Sequence, residues 1–358
     1  MVFFENEKCL KCGESLGFDP ETLEIVASRQ MGGAPRLSTG GAHRNCANRE
    51  EHQVCNWILS EGDQNSLCLA CRLNEVIPDL TINGNRERWY KLEQAKRRCL
   101  YTLLQLGLPI ETRKDEARVP LRFRFLGDTP NTPPVLTGHD HGAITVNISE
   151  ADEDERERRR LKLHEPYRTL IGHFRHESGH YYWDRLIANS PHLTTFHDLF
   201  GDESADYKEA LQKYYEQGPA EGWQNRTVTA YASLHPWEDW AETWAHYLHI
   251  VDTLETAASF GLRLESGERK NDRSRSRTNH DGGGLMNFEK LLATWMPLTC
   301  ALNSINRSMG LPDLYPFAIT DAVREKLSFI QTVIETEATR PRAAGIKSPR
   351  TELMAATN

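Results

Sequence analysis

Six of the eight cysteines lie within the first 71 residues of this 358-residue chain, and their pattern constrains how that segment can fold. Cys9 and Cys12 form one Cys-x-x-Cys pair, and Cys68 and Cys71 form a second. In a reducing compartment such pairs are typical of zinc knuckles, because a tight turn directs two thiolates at one tetrahedral ion. A redox pair needs a preceding strand and a following helix, which the segment KCLKCGESLGFDP does not favour. The pattern predicts a structural zinc module.

The length of the chain suggests two domains, and the cysteines divide them. Residues 1–80 are predicted to form the zinc-ribbon-like module, in which metal replaces a hydrophobic core. The segment GGAPRLSTGG at 32–41 is expected to break any regular element there. Residues 81–337 are predicted to form the second domain, and 338–358 a disordered tail.

Charge and hydropathy exclude several classes of function. The net charge of −8 argues against general binding of nucleic acid. No stretch reaches the ~18 apolar residues that a membrane span needs, and the first residues do not resemble a signal peptide. The expected location is the cytoplasm.

Periodicity predicts a mainly helical second domain. Asn85 is expected to cap a helix that runs to about residue 106 and bridges the two domains. Further helices are predicted at about 150–160, 166–187, 201–218, 236–253, 286–309 and 320–336. Alternating apolar residues predict strands at 121–127 and 142–148 in a small antiparallel sheet, and the polar segment 265–284 is expected to be an exposed loop.

One predicted helix carries the pattern H-E-x-x-H as His176, Glu177 and His180. Residues four apart share a helix face, so both imidazoles can bind one zinc while Glu177 lies beside a zinc-bound water. In such sites the carboxylate removes a proton from the water as it attacks a carbonyl. The spacing therefore indicates a candidate hydrolytic centre with Glu177 as general base.

A hydrolytic zinc needs a third protein ligand and one open position. A third histidine six residues after His180 is excluded, because Leu186 occupies that place. The helix predicted from Pro236 offers Glu238 as ligand, and Glu242, on the same face, as acceptor for a ligand histidine. Two further candidates lie nearby: Asp184 as a hydrogen-bond partner of a ligand, and Tyr231 as a donor to an oxyanion. Asp239 points about 100° away from Glu238 and is the weaker ligand candidate.

Three segments resemble a bacterial family of zinc-binding metallopeptidases with an N-terminal zinc-ribbon region: TGHDHGAITVNISEAD, EPYRTLIGHFRHESGHYYWDRL and TAYASLHPWEDWAETWAHYLHIVDTLETA. The resemblance covers about residues 1–335 and implies a zinc peptidase without naming its substrate. The site is also similar to that of the gluzincins. The spacing of Tyr231, Glu238 and Glu242 resembles that in anthrax lethal factor protease, which supports Glu238 as ligand and Tyr231 as a catalytic donor.

The module departs from the family in its cysteines. Members usually carry a further Cys-x-x-Cys before the segment FFEN, making eight, whereas this module has six. Because short ribbons pair consecutive knuckles, we expect one complete site and a remaining pair, Cys9 and Cys12. The complete site is expected to consist of Cys46, Cys55, Cys68 and Cys71. The alternative partition joins Cys9 and Cys12 to Cys68 and Cys71.

Together these features predict an α+β protein: a mainly helical, gluzincin-like zincin domain with a small antiparallel sheet, plus a zinc-ribbon-like module. The expected cofactors are one catalytic zinc and at least one structural zinc, and the expected substrate is a peptide or protein. In zincins an edge strand beside the active-site helix pairs with the peptide, and residues 142–148 are the candidate. Two alternatives stay open: a zinc-ribbon adaptor with an inactive or structural second metal site, and a protease that acts on proteins bound to nucleic acid. The negative charge argues against the last.

Overall fold

The computed structural model describes residues 2–31, 34–37, 43–112, 119–130, 133–163, 165–262, 264 and 285–339. The chain divides into two compact units, the first ending at Tyr181 and the second beginning at Tyr182. Helices and small sheets are both present, so the α+β class is confirmed. Every described helix is too short or too polar to cross a bilayer.

The first unit begins with two small antiparallel sheets, one ordered β1-β2-β3 and the other pairing β4 with β5. Short helices α1 and α2 follow the strands of the second sheet. In chain order these elements are β1 (Ser15–Asp19), β2 (Glu24–Met31), β3 (Ala34–Leu37), β4 (His43–Asn45), α1 (Ala47–Glu50), β5 (Ile58–Ser60) and α2 (Leu69–Arg72).

The expectation that residues 32–41 break any regular element is wrong for β3. Ala34 pairs with Met31 and Leu37 with Ser28, so the chain returns antiparallel to β2 after a short connection. Proline is tolerated in β3 because this strand lies at the edge of its sheet, where one face of the backbone needs no ladder partner.

The remainder of the first unit builds a four-stranded sheet ordered β6-β7-β9-β8, with three helices. In chain order the elements are β6 (Asn74–Val76), α3 (Asn85–Gln105), β7 (Arg122–Leu126), β8 (Gly138–Asp140), β9 (Ala143–Asn147), α4 (Glu153–Lys162) and α5 (Leu170–Leu186), whose last residues belong to the second unit. This sheet is mixed rather than antiparallel, because β7 runs parallel to both β6 and β9.

The prediction of an edge strand at 142–148 is also wrong. β9 is a strand, but it lies between β7 and β8, and four of its five residues are buried. A strand with neighbours on both sides cannot add an extended peptide. The exposed edge on that side of the sheet is β8.

The helix predicted from Asn85 is confirmed as α3, which lies within the first unit, but Asn85 does not cap it. Gly84, in the left-handed region at φ 86°, is the N-cap residue. The side-chain amide of Asn85 donates instead to the carbonyl of Asp79. The inner face of α3 buries Trp89, Leu92 and Leu100.

Helix α5 begins at Leu170, slightly later than predicted, because Thr169 caps it. The Thr169 hydroxyl accepts from the Gly172 amide at 3.1 Å, and its carbonyl accepts from His173. One turn further on, the ring of Phe174 packs edge-on against Phe123 and Phe125 of β7. This contact fixes α5 on the mixed sheet of the first unit.

The second unit is helical. Its helices are α6 (Leu193–Phe200), α7 (Tyr207–Gln217), α8 (Pro236–Ser259), α9 (Phe288–Ser308) and α10 (Asp321–Ala338). Helix α8 forms the centre, where Trp240 packs against Phe196, Phe200 and Phe329. Helix α6, which is only eight residues long, was not predicted, and α8 extends about one and a half turns beyond its predicted end. The loop predicted at 265–284 and nearly all of the predicted tail lie outside the described residues.

Candidate active site and metal centres

Four cysteines of the first unit converge on one point. Cys46, Cys55, Cys68 and Cys71 are all buried, and their sulfur atoms lie within 4.8 Å of one another. Cys46 immediately precedes α1, and the Cys68–Cys71 knuckle forms α2. Four thiolates at these distances suit a closed tetrahedral zinc site, because that ion prefers sulfur ligands at about 2.3 Å.

Backbone amides and one buried cation support the negative charge of this cluster. The Cys68 amide donates to the Cys46 sulfur, and the Trp57 amide to the Cys55 sulfur, each at 3.4 Å. Burial disfavours the Arg97 cation, but the attraction of Cys55 and Glu93 outweighs it and raises the guanidinium pKa. These contacts place amide dipoles and a positive charge beside the sulfur atoms that would bind the metal.

Cys9 and Cys12 lie outside this cluster. Among the described residues, the structure groups Cys68 and Cys71 with Cys46 and Cys55, so it favours the first partition, which stays a prediction. Cys9 is half-buried and Cys12 exposed. Backbone hydrogen bonds from Cys12 and Lys11 lower the pKa of the Cys9 thiol.

His176 and His180 lie side by side on α5, as their spacing predicts. Their Nε2 atoms are 3.2 Å apart. Two nitrogens bound tetrahedrally to zinc at about 2.05 Å would lie about 3.3 Å apart, so the pair fits one zinc ion. Glu177, between them in sequence, is only 6% exposed. This site therefore offers two imidazole nitrogens beside a buried carboxylate, whereas the cysteine cluster offers only sulfur ligands.

A third histidine, His139 of β8, lies near this pair. Its ring stacks on that of His180, with the planes at 18° and the centroids 6.3 Å apart. The Gly142 amide donates to His139 Nε2 at 2.9 Å, which leaves the ring proton on Nδ1. Burial, and then the proximity of His180, lowers the His139 pKa to about 3. His139 is therefore a neutral ring beside the histidine pair.

In the second unit, Glu238 lies in the first turn of α8. His235 caps this helix, since its Nδ1 accepts from the Trp237 amide at 3.1 Å, and Pro236 occupies the first turn. The Glu238 side chain is 2% exposed, and the Tyr207 hydroxyl donates to its Oε1 at 2.8 Å. The side chain of Asp239 forms a buried ion pair with Lys326, at a distance of 2.5 Å.

The other candidates of the second unit have distinct surroundings. Glu242 accepts a 2.7 Å hydrogen bond at Oε2 from the hydroxyl of Thr229, and its predicted contact with a ligand histidine stays a prediction. Burial, and then the charge of Glu238, raises the pKa of Tyr231 well above its usual value, so its phenol remains a donor. Asp184 is half-buried on α5, and its predicted role is likewise not tested.

Sequence analysis did not single out Tyr207 or His139. In the sequence, Tyr207 is an ordinary residue of the amphipathic helix α7, and its hydrogen-bond partner Glu238 is 31 residues away. His139 lies in the segment TGHDHG, where the glycines predict a turn but not the direction of the ring. A turn-forming glycine three residues after a histidine is a weak signal that could have drawn attention to it.

Comparisons with known proteins match both parts of the chain. Residues 85–333 match the family described as "Putative zinc-binding metallo-peptidase", and residues 1–82 match a zinc-ribbon domain. Two similar proteins are Uncharacterized protein Rv2568c of Mycobacterium tuberculosis and Uncharacterized protein Mb2598c of Mycobacterium bovis. Each is 41% identical over 333 residues, which cover 93% of this chain and 92% of the relative. No solved structure matches the chain. The chain therefore belongs to the zinc-binding metallopeptidase family and carries a zinc-ribbon domain at its N-terminus.

Proposed function

We propose that the chain is a gluzincin-like zinc peptidase in which His176, His180 and Glu238 bind the catalytic zinc. The observation that carries the proposal is the 3.2 Å separation of the two Nε2 atoms on α5, which suits one tetrahedral ion, together with the buried Glu177 beside them. Glu238 is the proposed third ligand because its spacing on α8 predicts that role and its carboxylate is buried at the start of that helix.

The residues then have separate roles in hydrolysing a peptide bond. Zinc in such a site supplies a Lewis acid and lowers the pKa of bound water to about 7. Glu177 accepts a proton from the attacking water and returns it to the leaving amine. Tyr231, whose raised pKa keeps its phenol protonated, donates to the oxyanion. Cys46, Cys55, Cys68 and Cys71 hold a structural zinc, and we expect the enzyme to act in the cytoplasm.

Replacing Glu177 by glutamine tests the mechanism. The amide keeps the size of the side chain but cannot accept the proton, so we expect zinc content to stay unchanged while kcat falls by about 10²–10⁴-fold. Cleavage of an unbiased peptide library, compared between wild type and Glu177→Gln, measures activity and reveals the substrate class.

His180→Ala is the contrasting variant. Because it removes a proposed ligand of the catalytic zinc, it should lose both that zinc and the activity. Cleavage by Glu177→Gln at the wild-type rate would refute the role of Glu177. A wild-type chain that binds both metals but cleaves no peptide in the library would instead support the adaptor alternative.

A further inference from the structure

We propose that Tyr207 is a positioning residue that orients the carboxylate of Glu238 for metal binding. This inference rests on the proposed function, since it takes Glu238 as the third ligand. It assigns a role to α7, which neither the sequence motifs nor the H-E-x-x-H helix explains.

The contact itself is short and buried. The Tyr207 hydroxyl donates to Glu238 Oε1 at 2.8 Å, and the carboxylate is 2% exposed. A phenol that donates to a carboxylate in a buried environment makes a strong, charge-assisted hydrogen bond. Once Oε1 accepts this bond, the two carboxylate oxygens are no longer equivalent, and ligation through Oε2 is favoured.

The ring of Tyr207 is held in place from two sides. It packs edge-on against His235 and Trp237, with centroid distances of 5.4 and 6.2 Å. His235 also donates from Nε2 to the carbonyl of Ala205 at 3.0 Å, which ties the segment before α7 to the start of α8.

The start of α7 is fixed as well. Asp206 caps the helix by accepting from the amides of Lys208 and Glu209 at 2.9 and 3.1 Å. Tyr207 is the first residue of the helix, so the cap determines where its side chain leaves the backbone. The hydroxyl is therefore presented to Glu238 by a constrained backbone and a packed ring, as expected of a residue that orients a ligand.

Removing this one oxygen tests the role. Tyr207→Phe keeps the ring and its packing but deletes the donor. The titration uses protein from which only the zinc of the histidine site has been removed, and Co²⁺ binding is followed by its visible absorption. We expect the affinity for Co²⁺ to fall by about 10–100-fold. We expect kcat at saturating metal to fall by less than the affinity does, since a group that acts through Glu238 helps to hold the metal and does not contact the substrate.

Tyr215→Phe is the matched control, because it removes the same atom from the same helix at a site that is 61% exposed. Its Co²⁺ affinity should equal that of wild type, and the melting temperatures of the two variants check that both fold. Unchanged affinity in Tyr207→Phe would overturn the inference. So would a loss of kcat at saturating metal with unchanged affinity, which would show that the hydroxyl acts on the substrate or on Tyr231, to which it is hydrogen-bonded, and not through Glu238.

A double-mutant cycle separates this inference from the proposed function. If Tyr207 acts through Glu238, the loss of Co²⁺ affinity caused by Tyr207→Phe should disappear in a Glu238→Gln background. A loss that persists there would mean a general structural effect and would overturn the positioning role. If Glu238→Gln alone leaves Co²⁺ affinity unchanged, the proposed ligand set fails first, and the role of Tyr207 falls with it.

Discussion

Glu150 is a single buried carboxylate that links three segments of the first unit. Its side chain has no exposed surface, and it accepts from Arg159 at 2.7 Å, from Arg168 at 2.6 Å and from His173 at 3.1 Å. Burial raises the Glu150 pKa, but the hydrogen bonds and charges of His173 and Arg168 outweigh it, so the pKa is lowered overall. His173 lies one turn before His176, so Glu150 helps to hold the start of α5.

We predict that Glu150→Gln destabilises the protein by roughly 1–3 kcal/mol at pH 7, because it removes a buried charged acceptor, while Arg159 and Arg168 keep their second partners. A carboxyl whose pKa is lowered on folding contributes stability that is present above its unfolded pKa of 4.5 and lost as pH falls below it. The difference between wild type and variant should therefore shrink below about pH 4.5. Urea unfolding between pH 3 and pH 7 measures this.

Glu157→Gln on α4 is the control, since Glu157 pairs with Arg160 at the surface and its loss should change stability little. A penalty for Glu150→Gln that stays the same from pH 7 to pH 3 would show that the charge of Glu150 is not the source of the stability.

The hairpin of β8 and β9 is the element that brings His139 towards the histidine pair. His141 and Gly142 form its two-residue turn, with φ values of 44° and 80°. Turns with two left-handed residues match the twist of paired strands and favour glycine at the second position. A Cβ atom at residue 142 would lie 2.5 Å from the carbonyl oxygen of Pro120, so the close approach also requires glycine.

We predict that Gly142→Ala lowers the free energy of unfolding by about 1–3 kcal/mol, because alanine is strained at positive φ and meets the backbone of Pro120. Gly138→Ala in the same hairpin is the matched control. A Cβ atom there meets nothing within 4 Å, so the change should stay within about 0.5 kcal/mol. Equal stability of the two variants in urea unfolding would refute this account of the turn.

For the whole molecule, the two candidate zinc sites differ in how readily they should release metal. The cysteine cluster is buried and offers four thiolates, which close the coordination sphere. The proposed catalytic zinc keeps an open position at which a chelator can attack. Metal removal should therefore be stepwise.

We predict that 1,10-phenanthroline removes the catalytic zinc first and abolishes peptidase activity, while the cysteine-bound zinc and the helical circular dichroism remain. Zinc analysis after each step measures the order, and adding back zinc should restore activity. Cys68→Ser should do the reverse: it should lower zinc content without chelator and expose the N-terminal module to proteolysis, because a structural zinc supplies folding free energy. Loss of both metals together would contradict the assignment of two kinds of site.

Features that depend on short spacing follow from local sequence alone. Four residues make about one helical turn, so His176 and His180 become neighbours wherever α5 packs, and the 3.2 Å separation agrees. Periodicity likewise predicted β7, β9 and most helices, because the spacing of apolar residues within an element indicates which of its faces is buried.

Which distant segments meet depends on how the whole chain packs. Local alternation identified β7 and β9 but not that they pair in parallel, or that β8 and not β9 forms the edge. The resemblance favoured one cysteine partition, and only the folded chain brings the Cys68 amide to the Cys46 sulfur, 22 residues away. Tyr207 reaches Glu238 across 31 residues. Such contacts depend on how the whole chain closes its loops and fills its core, and no short window of sequence contains that information.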